Sequence, residues 1–244
     1  MKAMVLAAGL GTRLRPLTDH RPKALVELSG RTLLEITLCR LRSFGVSEVI
    51  VNVHHFADMV VDYLKANNNF DLRLEISRED VLLDTGGGLK KAAWFFLDDS
   101  GHSDEPFILH NVDVISTIDL RHMLESHVRN QALATLAVQS RETSRYLLFN
   151  EQDLLCGRRS KPDLKDELIR PAERLQALAF SGIHVISPHL LPMMKDEGSF
   201  SIIKSYLDIA AIGQKIEAFH CDGYYWRDLG KPEHLVQAAE EMKV

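Results

Sequence analysis

The sequence predicts an α/β protein with a mainly parallel, mixed central sheet and helices on both faces. Two observations carry this. Apolar runs that read as strands alternate four times with stretches of helical spacing before residue 111. The first run, residues 3–8, is continuously apolar, as expected of a strand buried on both faces. A chain of 244 residues with 45% hydrophobic content can also bury one sizeable core.

The first strand stops at Gly9 and Gly11. Leu33, Leu34, Leu38, Leu41 and Phe44 recur at helical spacing, and Gly45 ends that helix. A strand over 48–53, a helix over 56–64, a strand over 72–76, a helix over 89–97 entered through three glycines, and a strand over 106–110 follow. A helix is expected over 120–130, with strands over 132–139 and 146–149. Residues 157–171 are polar and charged and read as a mobile loop. A strand over 181–186, a helix over 201–212, strands over 215–220 and 224–227 and a helix from Pro232 complete the pattern, since proline suits a first helical position. Ligands of such a sheet bind at the carboxyl ends of its strands.

The formal charge of -5 argues against nucleic acid as a main partner, and no apolar run is long enough to span a membrane. Met1 and Lys2 lead straight into strand residues without a signal peptide. Cys39, Cys156 and Cys221 are odd in number and far apart, which suits neither disulfides nor zinc. His54 and His55 lack a third ligand at metal spacing. No hexapeptide repeat is present. These features predict one cytoplasmic domain over residues 1–244, of unspecified oligomeric state.

Gly9 and Gly11 after a buried strand expose backbone N–H groups, and Thr12, Arg13, Arg15 and Lys23 add a hydroxyl and positive charge. This combination suits a polyphosphate. It is not a Walker loop, because Thr12 and Arg13 follow Gly11 and the nearest lysine is twelve residues on. A dinucleotide fingerprint needs a third glycine and an acidic residue after the second strand, where His54 and His55 stand.

Leu6-Ala-Ala-Gly-Leu-Gly-Thr-Arg-Leu-Arg-Pro-Leu-Thr with Arg21-Pro-Lys-Ala-Leu-Val resembles the signature of the sugar-1-phosphate nucleotidylyltransferases. Leu83-Asp-Thr-Gly-Gly-Gly88 and Phe180-Ser-Gly-Ile-His184 are most similar to the bacterial N-acetylmuramate-1-phosphate uridylyltransferases. The resemblance implies a nucleotide-diphospho-sugar transferase-like, Rossmann-type fold. The implied reaction joins an NTP to a sugar 1-phosphate with release of pyrophosphate. UTP with N-acetylmuramate 1-phosphate is the first expectation. GTP with mannose or heptose 1-phosphate, CTP with phosphocholine, and a non-catalytic nucleotide sensor are the alternatives.

By the same resemblance, Leu6, Ala7, Ala8, Gly9, Gly11, Thr12, Arg13, Lys23, Thr85 and Gly86 bind the nucleotide. Arg13 would hold the β and γ phosphates, and Lys23 the α-phosphate. Asn111, Ser181 and Gly182 line the sugar side. Asp113 and Asp228 match the metal positions for Mg2+, an ion usually held by one or two carboxylates with phosphates and water. Asp119 reads instead as a helix cap. Val112 stands where the family usually has glycine, which puts that loop's geometry in question. Glu79 is balanced between base contact and surface. Lys161-Pro162 and Arg170-Pro171 are the candidates for binding the sugar phosphate.

Overall fold

The computed structural model describes residues 1–97, 104–160 and 165–241. Strand β1 (Lys2–Leu6) leads through two short 3-10 turns to a small hairpin, β2 (Glu27–Leu28) with β3 (Arg31–Thr32). Helix α1 (Leu33–Ser43), β4 (Glu48–Val53), α2 (Ala57–Ala66), β5 (Arg73–Arg78), α3 (Asp84–Lys91) and β6 (Phe107–Asn111) complete the alternating half. β7 (Val114–Ser116), α4 (Leu120–Asn130), β8 (Ala134–Gln139), β9 (Arg145–Phe149), β10 (Leu155–Ser160), β11 (Lys165–Leu168) and β12 (Gln176–Ile186) follow. The last elements are α5 (Ile202–Ala211), β13 (Ile216–His220), β14 (Trp226–Asp228) and α6 (Pro232–Glu241).

Ten strands form one mixed sheet in the order β11-β10-β9-β12-β6-β1-β4-β5, with β8 on β12 and β13 on β8. β6, β1, β4 and β5 run parallel. The long β12 closes that half antiparallel to β6 and carries the antiparallel strands beyond it. Both faces are covered. Ala3 and Val5 point into a core shared with α1, α2, α4 and α6, whereas Met4 points into one shared with α3 and α5. That double burial is why β1 is continuously apolar.

Thr32, Asp119 and Ser201 cap α1, α4 and α5 by accepting first-turn N–H groups, each worth about 1 kcal/mol. The three cysteines are free. Among the described residues no helix is long and apolar enough to cross a membrane.

Two expectations need correction. The segment read as a mobile loop is a hairpin of β10 and β11, with residues 161–164 outside the described set. Its charged residues pair across the strands, Arg158 with Glu167 at 2.6 Å and Arg159 with Asp166 at 2.6 Å. An edge hairpin of this kind lacks the apolar signal of a core strand. The glycines do not precede α3 but form its first turns, and the helix ends at Lys91 before a 3-10 turn. A Cβ on Gly87 would lie 2.1 Å from Gly198 O, and one on Gly86 2.4 Å from the Phe200 ring. The glycine run allows α3 to approach the segment before α5.

Candidate active site

The carboxyl ends of the parallel strands converge through a buried chain of hydrogen bonds. Ala7 N–H donates to Asn52 Oδ1 at 2.7 Å, and Asn52 Nδ2 donates to Glu79 Oε1 at 2.7 Å. Leu83 N–H donates to Glu79 Oε2 at 3.0 Å. Asn52 and Glu79 are 2% and 5% exposed, so this chain fixes the ends of β1, β4 and β5 against the start of α3. A cavity of about 360 Å3 opens above it, walled by Leu6, Ala8, Gly9, Glu79, Thr85, Asn111 and Asp113 among others.

Gly11 turns the chain out of β1. Its φ is +67°, and a Cβ there would lie 2.9 Å from Thr18 Cγ2 and 3.1 Å from Lys23 Cβ, so only glycine fits. Thr18 Oγ1 donates to Gly11 O at 2.8 Å and fixes the loop. Gly9, in contrast, has open space around it. The 3-10 turns that follow present Arg13 and Lys23. Lys23 Nζ donates to Asp113 Oδ2, and both side chains are only 12–13% exposed.

Asp113 lies in the turn between β6 and β7. Asp228 is the last residue of β14, which pairs with β7 in a separate ribbon rather than with the central sheet. Leu229 N–H donates to Asp113 O at 2.7 Å, joining the two segments across 116 positions of sequence. Asp228 Oδ1 accepts from Gly230 N at 2.9 Å, and His234 Nδ1 lies 3.9 Å from the same oxygen. A Cβ on Gly230 would meet Arg13 Nη2 at 2.7 Å and Asp228 Oδ1 at 2.8 Å, which sets Arg13 beside Asp228.

A second cavity, about 590 Å3, shares Asn111 with the first and is lined by Arg13, Arg141, Phe180, Ser181, Gly182, Trp226 and Asp228 among others. Gly182 has φ +75°, and a Cβ there would lie 2.8 Å from Asn111 Nδ2. Glycine at this position therefore makes room for Asn111. Ser181 is fully buried, and its carbonyl accepts from Trp226 Nε1 at 2.7 Å.

Of the expected nucleotide residues, Leu6, Ala8, Gly9 and Thr85 line the first cavity together with Asp113. Ala7 is buried beneath it, and Gly86 N–H donates to Phe200 O at 2.9 Å. Thr12 is exposed at the loop surface, and Arg13 faces the second cavity. Val112 is buried in the core without positive φ, so the substitution for glycine leaves this turn unstrained. Arg170 is tied to Ala210 O and Gln214 O, away from both cavities. Lys161 and Pro162 lie outside the described residues. Asn52, Arg141 and Trp226 also line the cavities and were not expected from the sequence. Only Trp226 carried a signal, since it precedes Asp228 by two on one strand and so shares its face.

A glycine loop and two adjoining cavities, each with a carboxylate, on this sheet are the arrangement expected of a sugar-1-phosphate nucleotidyltransferase. The chain belongs to the nucleotidyl transferase family, which it matches over residues 2–243. It is 34% identical to the N-acetylmuramate alpha-1-phosphate uridylyltransferase of Caulobacter vibrioides, over 97% of this chain and 94% of that protein. It is 32% identical to mannose-1-phosphate guanylyltransferase 1 of Arabidopsis thaliana, over 97% of this chain and 63% of that one. The fold is shared with UDP-glucose pyrophosphorylase complexed with UDP-glucose, at TM-score 0.78 and 17% identity, covering 99% and 98% of the two chains.

Proposed function

We propose that the chain transfers UMP from UTP to N-acetylmuramate 1-phosphate, with residues 1–244 acting as one catalytic domain. The observation that carries this reading is the pair of cavities meeting at Asn111, with Lys23 and Asp113 on one side and Arg13 and Asp228 on the other. The relative with 94% of its length matched supports UTP and N-acetylmuramate 1-phosphate over other pairs.

In this reading the base and ribose occupy the cavity between Ala8 and Thr85, and the sugar lies over Phe180, Ser181 and Gly182. An oxygen of the sugar phosphate attacks the α-phosphorus while pyrophosphate departs. Lys23 neutralises charge that builds on the α-phosphate, and Arg13 neutralises the phosphates of the nucleotide.

Asp113 and Asp228 suit a magnesium ion. Asp113 lines the first cavity and Asp228 the second, each offering hard oxygen donors, and among the described residues no group of three or more acidic, cysteine or histidine side chains completes a cage. Such a donor set leaves positions for phosphate oxygens and water. Mg2+ held there would supply charge compensation and alignment of the reacting oxygens.

Pyrophosphate release from a panel of four NTPs against N-acetylmuramate, N-acetylglucosamine, mannose and heptose 1-phosphates tests the proposal. The expected result is highest kcat/KM for UTP with N-acetylmuramate 1-phosphate. A preference for GTP with mannose 1-phosphate would reassign the substrates, and no turnover with any pair would favour a nucleotide sensor.

A further inference from the structure

We propose that Arg141 binds a carboxylate of the sugar acceptor and makes the enzyme selective for an acidic sugar 1-phosphate. This deepens the reading above and rests on it, since the lactyl carboxylate distinguishes N-acetylmuramate from its parent amino sugar.

Arg141 follows β8 by two residues and faces the second cavity. Its guanidinium carbon lies 3.8 Å from the centre of the Trp226 ring, which Ser181 O anchors through Nε1–H. Nη2 donates to Phe180 O at 2.8 Å. Stack and hydrogen bond together fix the plane and direction of the guanidinium. Nε is buried without a hydrogen-bond partner, and Nη1 has none among the described residues. No carboxylate among those residues lies within ion-pair distance of it.

A partly buried guanidinium with one carbonyl acceptor is poorly compensated for the water it has lost. Burial lowers its pKa, and the charge of Asp228 opposes that shift. A ligand carboxylate in the cavity would supply an acceptor for Nη1, the guanidinium nitrogen that is neither bonded nor fully buried. The other cations of the cavity are committed elsewhere or exposed. Arg227 pairs with Glu241 at 2.5 Å, and Lys231 lies 3.8 Å from Glu233 near the surface. Arg13 stands at the Asp228 end, where the reacting phosphate belongs. Arg141 lines the same cavity beside Phe180, where the sugar is placed. Glu142 also lines the cavity, but it is exposed, so its repulsion is screened by solvent.

The test compares kcat/KM for N-acetylmuramate 1-phosphate and N-acetylglucosamine 1-phosphate, with UTP, in wild type and in Arg141→Gln. The ratio of the two should fall by about 30-fold in the variant, the size of one lost charged hydrogen-bonding partner. An unchanged ratio, or an equal fall with both acceptors, would overturn the proposal while leaving the uridylyltransferase reading intact. Failure of the wild type to use N-acetylmuramate 1-phosphate would sink both. An arm that needs no variant uses the free sugars as inhibitors of the wild type. N-acetylmuramate should inhibit at least about 10-fold more tightly than N-acetylglucosamine, and equal inhibition would count against Arg141 even if the variant does not fold.

Discussion

Lys23 and Asp113 form an ion pair that joins the segment after the Gly9–Gly11 loop to the turn after β6, 90 positions away in sequence. Because both side chains are largely buried, loss of one leaves the other uncompensated. Lys23→Ala should therefore lower turnover at least about 100-fold, by loss of transition-state charge compensation, and should also destabilise the fold by about 3 kcal/mol. Adding Asp113→Asn to Lys23→Ala should recover part of the stability and none of the activity. Urea unfolding of the wild type and the two variants measures this, and an unchanged midpoint for Lys23→Ala would show that the pair does not form in solution.

Arg13 is exposed and has no carboxylate partner within ion-pair distance among the described residues. Arg13→Ala should reduce turnover by a similar factor of about 100 while unfolding at the wild-type midpoint. Near-normal pyrophosphate release would remove it from the mechanism.

Asp113 and Asp228 should act as one unit. Asp113→Asn and Asp228→Asn are each expected to abolish most turnover, and the double variant to be scarcely worse than the poorer single one. Pyrophosphate release followed across a magnesium titration decides this: wild-type rate and magnesium dependence in either single variant would make that carboxylate structural.

Three glycines separate packing from ligand approach. Gly87→Ala gains about 1 kcal/mol of helix propensity, yet its Cβ would sit 2.1 Å from Gly198 O, a backbone atom with little freedom to move. A net loss of about 3 kcal/mol is expected for it and for Gly86→Ala. Gly9→Ala meets nothing within 4 Å and should change stability by less than about 0.5 kcal/mol. Equal melting temperatures for Gly87→Ala and Gly9→Ala would refute the close approach of α3.

Stability should also depend on pH through three buried histidines. Burial lowers the pKa of His110 to about 4, of His127 to about 4 and of His184 to about 3, with His110 adding to the effect at His184. His184 Nδ1 shares a 2.7 Å hydrogen bond with Tyr206 OH, and His127 Nδ1 a 2.9 Å one with Thr135 Oγ1. The folded state keeps these rings neutral, while the unfolded chain protonates them below about pH 6.5. Their contribution is thus intact above about 6.5 and is lost as pH falls toward 4, by roughly 3 kcal/mol per histidine. Urea midpoints measured from pH 7 to 4.5 should fall steeply. A flat profile would show that the rings are solvated.

Local signals made much of the fold legible. β4 and α4 occupy the predicted residues, and Asp119 caps α4 as its sequence position implied. Apolar spacing and caps act within one turn or one pleat, so they are readable from neighbours in sequence. The glycine loop after β1 was legible for the same reason, because a buried strand ending at two glycines is a local pattern.

What the sequence determined by itself was therefore the alternating α/β half, the glycine loop and the residue types available for phosphate chemistry. The tertiary structure decided which of those residues meet. The α3 glycines answer to Gly198 and Phe200, over 110 positions on. Asn52 becomes part of a site wall only because β1 and β5 flank β4, and Arg141 gains its orientation from Phe180 O and from Trp226, 85 positions away. Contacts of that range depend on strand order and on the antiparallel ribbon of β7 and β14, and a polar side chain carries no periodic trace of the partner it will meet.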